Sequence, residues 1–139
     1  MKIAILGAGV GGLSTAIALR QEGFDVDVYE RQPTISEIGA GIVCWPNASF
    51  VLEQLGVLDQ VIANSGSLNK MNRFSSTGES LGSLDISELS ALMGYPSLAI
   101  IRKDLMSILN HRFISLGGEI NYRHNVLPLL EYNELQAKV

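Results

Sequence analysis

The sequence is poor in the residues that build cross-linked or metal-bound scaffolds. A single cysteine, Cys44, stands among 139 residues, so no internal disulfide framework exists, and a reducing compartment, the cytoplasm, is the expected location. The two histidines, His111 and His124, lie on separate segments and form no ligand spacing with each other; no metal is expected. Basic residues are the minority, 10 Lys and Arg against 14 Asp and Glu for a net charge of −4. That balance disfavours nucleic acid or an anionic membrane surface as the main partner. No apolar run approaches the roughly 20 residues that cross a bilayer, so no membrane span is expected. Repeats and low-complexity linkers are absent as well, and a charged fraction of 17% beside 47% hydrophobic residues excludes a disordered chain.

Glycine is abundant and unevenly placed. Of 14 glycines, half precede residue 42, and Gly7, Gly9 and Gly12 stand in the order G-x-G-x-x-G. The apolar run Ile3-Ala4-Ile5-Leu6 comes directly before them, and a helix-like stretch, about Gly11 to Glu22, follows with Leu13, Ala16, Ile17 and Arg20 at helical spacing and Gly23 as cap. Asp25 to Glu30 then reads as a second, parallel strand. In this strand, turn, helix, strand context the glycines permit a tight turn, contact between backbone and a pyrophosphate, and close packing of helix on strand. Glu30, about 20 residues past the turn, is placed to accept hydrogen bonds from an adenosine ribose. A carboxylate there repels a 2′-phosphate, which argues for FAD or NAD before NADP, although the adjacent Arg31 could attract one. Met1-Lys2 and the apolar residues after it resemble a secretory leader, but the glycines interrupt its would-be core.

The segment from Arg31 to Gly41 reads as loop, ending in Ile38-Gly39-Ala40-Gly41-Ile42, whose glycines invite a ligand. Pro46 and Asn47 open a helix, with Asn47 as cap and Ala48, Val51, Leu52 and Leu55 as its buried stripe; Gly56 ends it, and a shorter helix covers Leu58 to Ala63. From Lys70 to Ile86 the pattern gives a hairpin about Thr77-Gly78-Glu79, with Met71, Phe74, Leu81 and Leu84 as expected buried positions. A helix from Lys103 to Leu116 carries Leu105, Ile108, Leu109, Arg112 and Leu116 on one side and stops at Gly117-Gly118. Strands are expected at Glu119 to Tyr122 and Val126 to Tyr132, with a turn at Asn133-Glu134 and a further strand beginning at Gln136. The fold class is therefore α/β, a Rossmann-like parallel sheet with helices and the beginning of a second sheet. Residues 1–68 and 98–139 would form the dinucleotide-binding domain and 69–97 a hairpin excursion. A doubly wound sheet needs more strands than these, so a piece of a longer polypeptide is expected, with exposed apolar surface and self-association if it stands alone.

Ile5-Leu6-Gly7-Ala8-Gly9-Val10-Gly11-Gly12-Leu13, Val28-Tyr29-Glu30-Arg31, Gly39-Ala40-Gly41-Ile42 with Trp45-Pro46-Asn47-Ala48, and Ile101-Arg102-Lys103-Asp104-Leu105 together resemble the N-terminal part of the FAD-dependent aromatic hydroxylases, the single-component flavoprotein monooxygenases. The resemblance implies that Gly7, Gly9, Gly11 and Gly12 lie against the FAD pyrophosphate, Glu30 on the adenosine ribose and Arg31 beside the adenosine. It also implies that Gly41 to Val43 run along the flavin side, that Arg102 reaches the phosphate and ribityl region, and that the Val126 backbone borders the adenine. In that family NADH or NADPH reduces the flavin and dioxygen supplies the oxygen transferred to a small aromatic substrate. The flavin carries that chemistry, so no catalytic residue is assigned. The family's later Gly-Asp motif for the ribityl chain and its Asp-Gly motif for NAD(P)H have no match here, so catalysis by these 139 residues alone is not expected. An NAD-dependent dehydrogenase or a non-catalytic dinucleotide-binding fragment are the alternatives. Cys44, His111 and His124 read as structural residues; Trp45 reads equally as packing or as cover for a flavin edge; Glu37, Glu53 and Asp59 read as solvated charges.

Overall fold

The computed structural model of the chain describes residues 2–34, 39–126, 131–132 and 137–138. In chain order the elements are β1 (Lys2–Leu6), α1 (Val10–Gln21), β2 (Asp25–Glu30), β3 (Gly41–Cys44), α2 (Pro46–Gln54), α3 (Leu58–Ala63), β4 (Ser65–Ser67), β5 (Lys70–Phe74), β6 (Ser80–Asp85), α4 (Ile86–Met93), β7 (Leu98–Ile101), α5 (Arg102–Ser115), β8 (Ile120–Tyr122), β9 (Glu131–Tyr132) and β10 (Ala137–Lys138). They divide into two compact units, Met1–Ser36 with Leu109–Val139, and Glu37–Ile108. That division differs in its boundaries from the one expected above.

In the first unit the parallel strands stand in the order β1-β2-β8, with Ile5 opposite Val28 and Val28 opposite Ile120. Helix α1 makes the crossover from β1 to β2, and its Leu13, Ala16 and Ile17 are fully buried, as are Val26 and Val28 of β2. Burying each Leu or Ile contributes about 1.5–3 kcal/mol. Arg20, expected on the same stripe, donates from Nη2 to the Val26 carbonyl at 2.9 Å. The helix ends as its sequence suggests: Gly23 takes φ +82, and the Gly23 and Phe24 N–H groups close on the Arg20 and Leu19 carbonyls. Gly12 permits the helix to sit close to β1. A Cβ there would fall deep inside van der Waals contact with the Gly7 carbonyl oxygen, and 3.5 Å from Ile5 Cγ2. The last turn of α5 ends at Gly117, φ +76, and a Cβ on Gly118 would strike the buried Phe113 ring. Val126 lies in no strand; of the strand expected to Tyr132, Glu131–Tyr132 form β9, paired antiparallel with β10, while Asn133-Glu134, Gln136 and residues 127–130 lie outside the described residues.

In the second unit β3, β7 and β4 form an antiparallel sheet, Gly41 opposite Ile101 and Ser65 opposite Ile100. The sequence reading placed Gly41 in a loop and found none of these three strands. The cap of helix α2 lies two residues earlier than expected, at Trp45 rather than Asn47. Pro46 takes its first position, where a missing N–H costs nothing, and the Trp45 carbonyl, not the Asn47 side chain, closes the first turn through the Ala48 and Ser49 N–H groups. The buried face accordingly runs Pro46, Ser49, Leu52 and Leu55, while Val51 is exposed. Buried Ser49 is satisfied by donating to the Pro96 carbonyl at 2.7 Å.

The β5–β6 hairpin turns at Gly78, φ +87, as expected, with the Ser75 hydroxyl accepting from the Glu79 N–H. Its apolar residues do not form a core. Met71, Phe74, Leu81 and Leu84 are all exposed, Phe74 to 61%, because no layer of the described residues covers either face of this two-stranded ribbon. Helix α4 follows β6 and was not expected. Asp85 caps it by accepting from the Glu88 N–H at 3.1 Å, and Gly94 ends it at φ +72.

The close approach at Gly12 yields a paired prediction. Gly12→Ala should lose about 3 kcal/mol or more, because the added methyl meets backbone that cannot move aside. Gly11→Ala, whose Cβ would meet nothing within 4 Å, should gain about 0.5–1 kcal/mol from helix propensity. Thermal unfolding of both variants checks this, and equal Tm values for the two would contradict the packing.

Candidate functional site

The glycine turn is held by its own backbone before any ligand arrives. The Gly7 N–H extends the β1–β2 ladder by donating to the Tyr29 carbonyl at 2.7 Å, and Gly7 turns away from the strand at φ +100. Gly9 precedes α1 in extended conformation with no side chain to cap the helix. The first intrahelical bond is Leu13 N–H to the Gly9 carbonyl at 2.9 Å. The N–H groups of Gly9, Val10, Gly11 and Gly12 consequently have no partner among the described residues. Above Gly9 and Gly11 a Cβ would meet open space. Four donors at the positive end of a helix, with room over them, form an anion cradle.

Ala8 is different. Its N–H donates to Glu30 Oε2 at 2.8 Å, while Glu30 Oε1 accepts from the Gln32 N–H at 2.8 Å. One carboxylate thereby ties the tip of β2 to the glycine turn, and Ala8 is withdrawn from the set of free donors. Each carboxylate oxygen keeps a second lone pair. Burial pushes the Glu30 carboxyl up, but the N–H groups of Gln32, Ala8 and Arg31 and the Arg31 charge outweigh it, so the pKa lies below the ordinary 4.5.

Glu30, Arg31, Gly7 and Val126 line one crevice of about 280 Å³, together with Tyr29, His124 and Asn125. Four of the expected site residues are therefore gathered in one place. Sequence reading missed His124 and Asn125 as lining residues, for a local reason. Arg123 adopts a left-handed conformation, φ +62, and no glycine signals that turn. It folds the chain after β8 back over β2, where the Arg123 N–H reaches the Gln32 carbonyl at 3.2 Å and the His124 N–H reaches the Glu30 carbonyl at 2.9 Å.

The second unit brings together the remaining expected residues. Gly41 starts β3 opposite Ile101, the Arg102 N–H donates to the Ala40 carbonyl at 2.9 Å, and Val43 lies two residues along the same strand with its side chain 46% exposed. Arg102 is the first residue of α5, where a cation opposes the helix dipole, and its guanidinium has no partner among the described residues. Cys44 is buried in β3, and burial pushes its thiol up, away from reactivity. Glu53 is not simply solvated, since it accepts from the Tyr95 hydroxyl at 2.5 Å. Glu37 lies outside the described residues.

A family model described as an NAD(P)-binding Rossmann-like domain matches residues 5–37, the span of β1, α1, β2 and Glu30. An FAD-dependent urate hydroxylase of Klebsiella pneumoniae subsp. pneumoniae is 37% identical over 106 residues, covering 76% of this chain and 28% of that protein. Among solved structures, 2-methyl-3-hydroxypyridine-5-carboxylic acid oxygenase superimposes with a TM-score of 0.77 at 31% identity, over 88% of this chain and 31% of that one. Klebsiella pneumoniae HpxO complexed with FAD and uric acid gives a TM-score of 0.76 at 30% identity, over 95% of this chain and 33% of that one. The chain thus spans about three-tenths of the length of these relatives. By this shared sequence and shared fold, the chain corresponds to the N-terminal part of the FAD-dependent aromatic hydroxylases.

Proposed function

We propose that this chain is the FAD-binding portion of a flavoprotein monooxygenase that hydroxylates a small aromatic or heteroaromatic compound with NADH or NADPH and dioxygen. The observation that carries the reading is the pairing of an anion cradle at Gly9 to Gly12 with an ionised Glu30 held in the neighbouring crevice. The residues fit the group. A diphosphate takes the four free N–H groups, and the closeness of α1 to Gly7 leaves the cradle accessible. The ribose hydroxyls donate to the unused lone pairs of Glu30. Arg31 flanks the adenosine and the Val126 backbone borders the adenine. On the family resemblance, the flavin-side contacts fall to Gly41, Val43 and Arg102.

FAD, when bound, supplies the redox chemistry that activates dioxygen. The described residues bind and orient it: no nucleophile or general base is required of them. We assign residues 1–68 and 98–139 to the FAD-binding domain, which takes in the β3-β7-β4 sheet as well as the parallel one, with 69–97 leading toward a substrate-side sheet. The uncovered apolar faces of the β5–β6 hairpin and Leu92, 84% exposed on α4, support self-association of the chain on its own. The single buried thiol of Cys44 fits a cytoplasmic location, and no helix among the described residues is long and apolar enough to cross a membrane.

Two predictions test the reading. Denaturing the purified chain and identifying the released nucleotide should yield FAD. Recovery of NAD would instead favour a pyridine-nucleotide dehydrogenase, the enzyme whose fold begins in the same way. Glu30→Gln keeps an acceptor for Ala8 but loses the charge, and a hydrogen bond to a charged group is worth about 1.5–3 kcal/mol. FAD affinity should fall roughly ten- to a hundredfold, and Tm should fall modestly, because the amide offers one acceptor oxygen where the carboxylate serves two N–H groups. Because the folded pKa of Glu30 is lowered, its contribution should be fully present above the ordinary carboxylate range and disappear as the pH drops through the depressed value. Calorimetric titrations across that range check this. Unchanged affinity in the variant would contradict the ribose assignment.

A further inference from the structure

The order of the first sheet determines where each part of a bound dinucleotide must lie. The anion cradle follows β1, the ribose carboxylate ends β2, and β8 lies on the side of β2 away from β1. An adenosine whose diphosphate points to Gly9–Gly12 and whose ribose rests on Glu30 must therefore project its base over the end of β8. The residues that line the crevice there are His124, Asn125 and Val126.

His124 has a fixed chemistry at that position. Its Nδ1 is 2.8 Å from the Tyr122 carbonyl oxygen, which can only accept, so Nδ1 carries the hydrogen. In the neutral ring Nε2 is then a bare acceptor, and it has no partner among the described residues. The Tyr29 ring meets the imidazole edge to face, centroids 5.6 Å apart, and the His124 N–H is bound to the Glu30 carbonyl. Backbone and ring are thus both anchored while one lone pair stays unused.

We propose that His124 is a specificity residue for the base, with Nε2 accepting a hydrogen bond from the exocyclic amino group of adenine. This rests on the adenosine reading above. A hypoxanthine base presents a carbonyl oxygen where adenine has the amino group, so acceptor would face acceptor. Sites built around a polar partner reject analogues that leave it unpaired.

The test is calorimetric titration of the whole chain with ADP and with inosine diphosphate, in the parent and in His124→Phe, which keeps a ring for Tyr29 and removes both nitrogens. The parent should bind ADP about tenfold more tightly, a difference of about 1.4 kcal/mol. The variant should lose the preference and bind the two nucleotides about equally. Equal affinities in the parent would overturn the base assignment, whether or not the variant folds, and would leave the adenosine reading intact. A variant that keeps the tenfold preference would overturn it equally. Failure of the parent to bind either nucleotide would overturn both.

Discussion

Everything at the candidate site depends on how closely helix α1 can approach the end of β1. The first turn of that helix passes so near the Gly7 carbonyl that no side chain fits at Gly12. Because it does, the free N–H groups of Gly9 to Gly12 stand at the sheet's edge beside the tip of β2 rather than a layer away from it. The Glu30 carboxylate can then bridge to Ala8 within the same turn. Phosphate donors and ribose acceptor are thereby preorganised by backbone geometry, which lowers the ordering cost that binding must overcome.

The bridge also separates two kinds of backbone donor. Ala8 is committed to the protein's own carboxylate and sets the position of Glu30. Its neighbours on the helical side are left for a ligand. A lowered carboxyl pKa follows from the same contacts, so the acid is ionised wherever the fold is intact near neutrality. Its charge beside the sugar hydroxyls disfavours a 2′-phosphate.

Much of this was legible in the sequence because it is local. The glycine spacing, the stripe of Leu13, Ala16 and Ile17, and the distance to Glu30 all lie within thirty residues, and the structure reproduces α1 and β2 to within a residue. What was illegible depends on partners far along the chain. Strands β3, β7 and β4 are 4, 4 and 3 residues long, too short to show alternation, and their pairing joins segments from about thirty to sixty residues apart. Met71, Phe74, Leu81 and Leu84 carry a core-like pattern, but burial requires a covering layer, which a pattern cannot supply. Helix α4 was different: Asp85 and Glu88 are a readable capping signal, with Gly94 as the stop. In the crevice, Glu30 and Arg31 were readable, whereas His124 and Asn125 enter it through a left-handed turn at Arg123 that no residue type announces.

The most direct measurement is a titration of the isotope-labelled chain with ADP, followed through its backbone amide resonances. The account predicts that the Gly9, Val10, Gly11 and Gly12 amides shift together and saturate at one common affinity. Saturable binding of ADP that leaves those four resonances unmoved would contradict it.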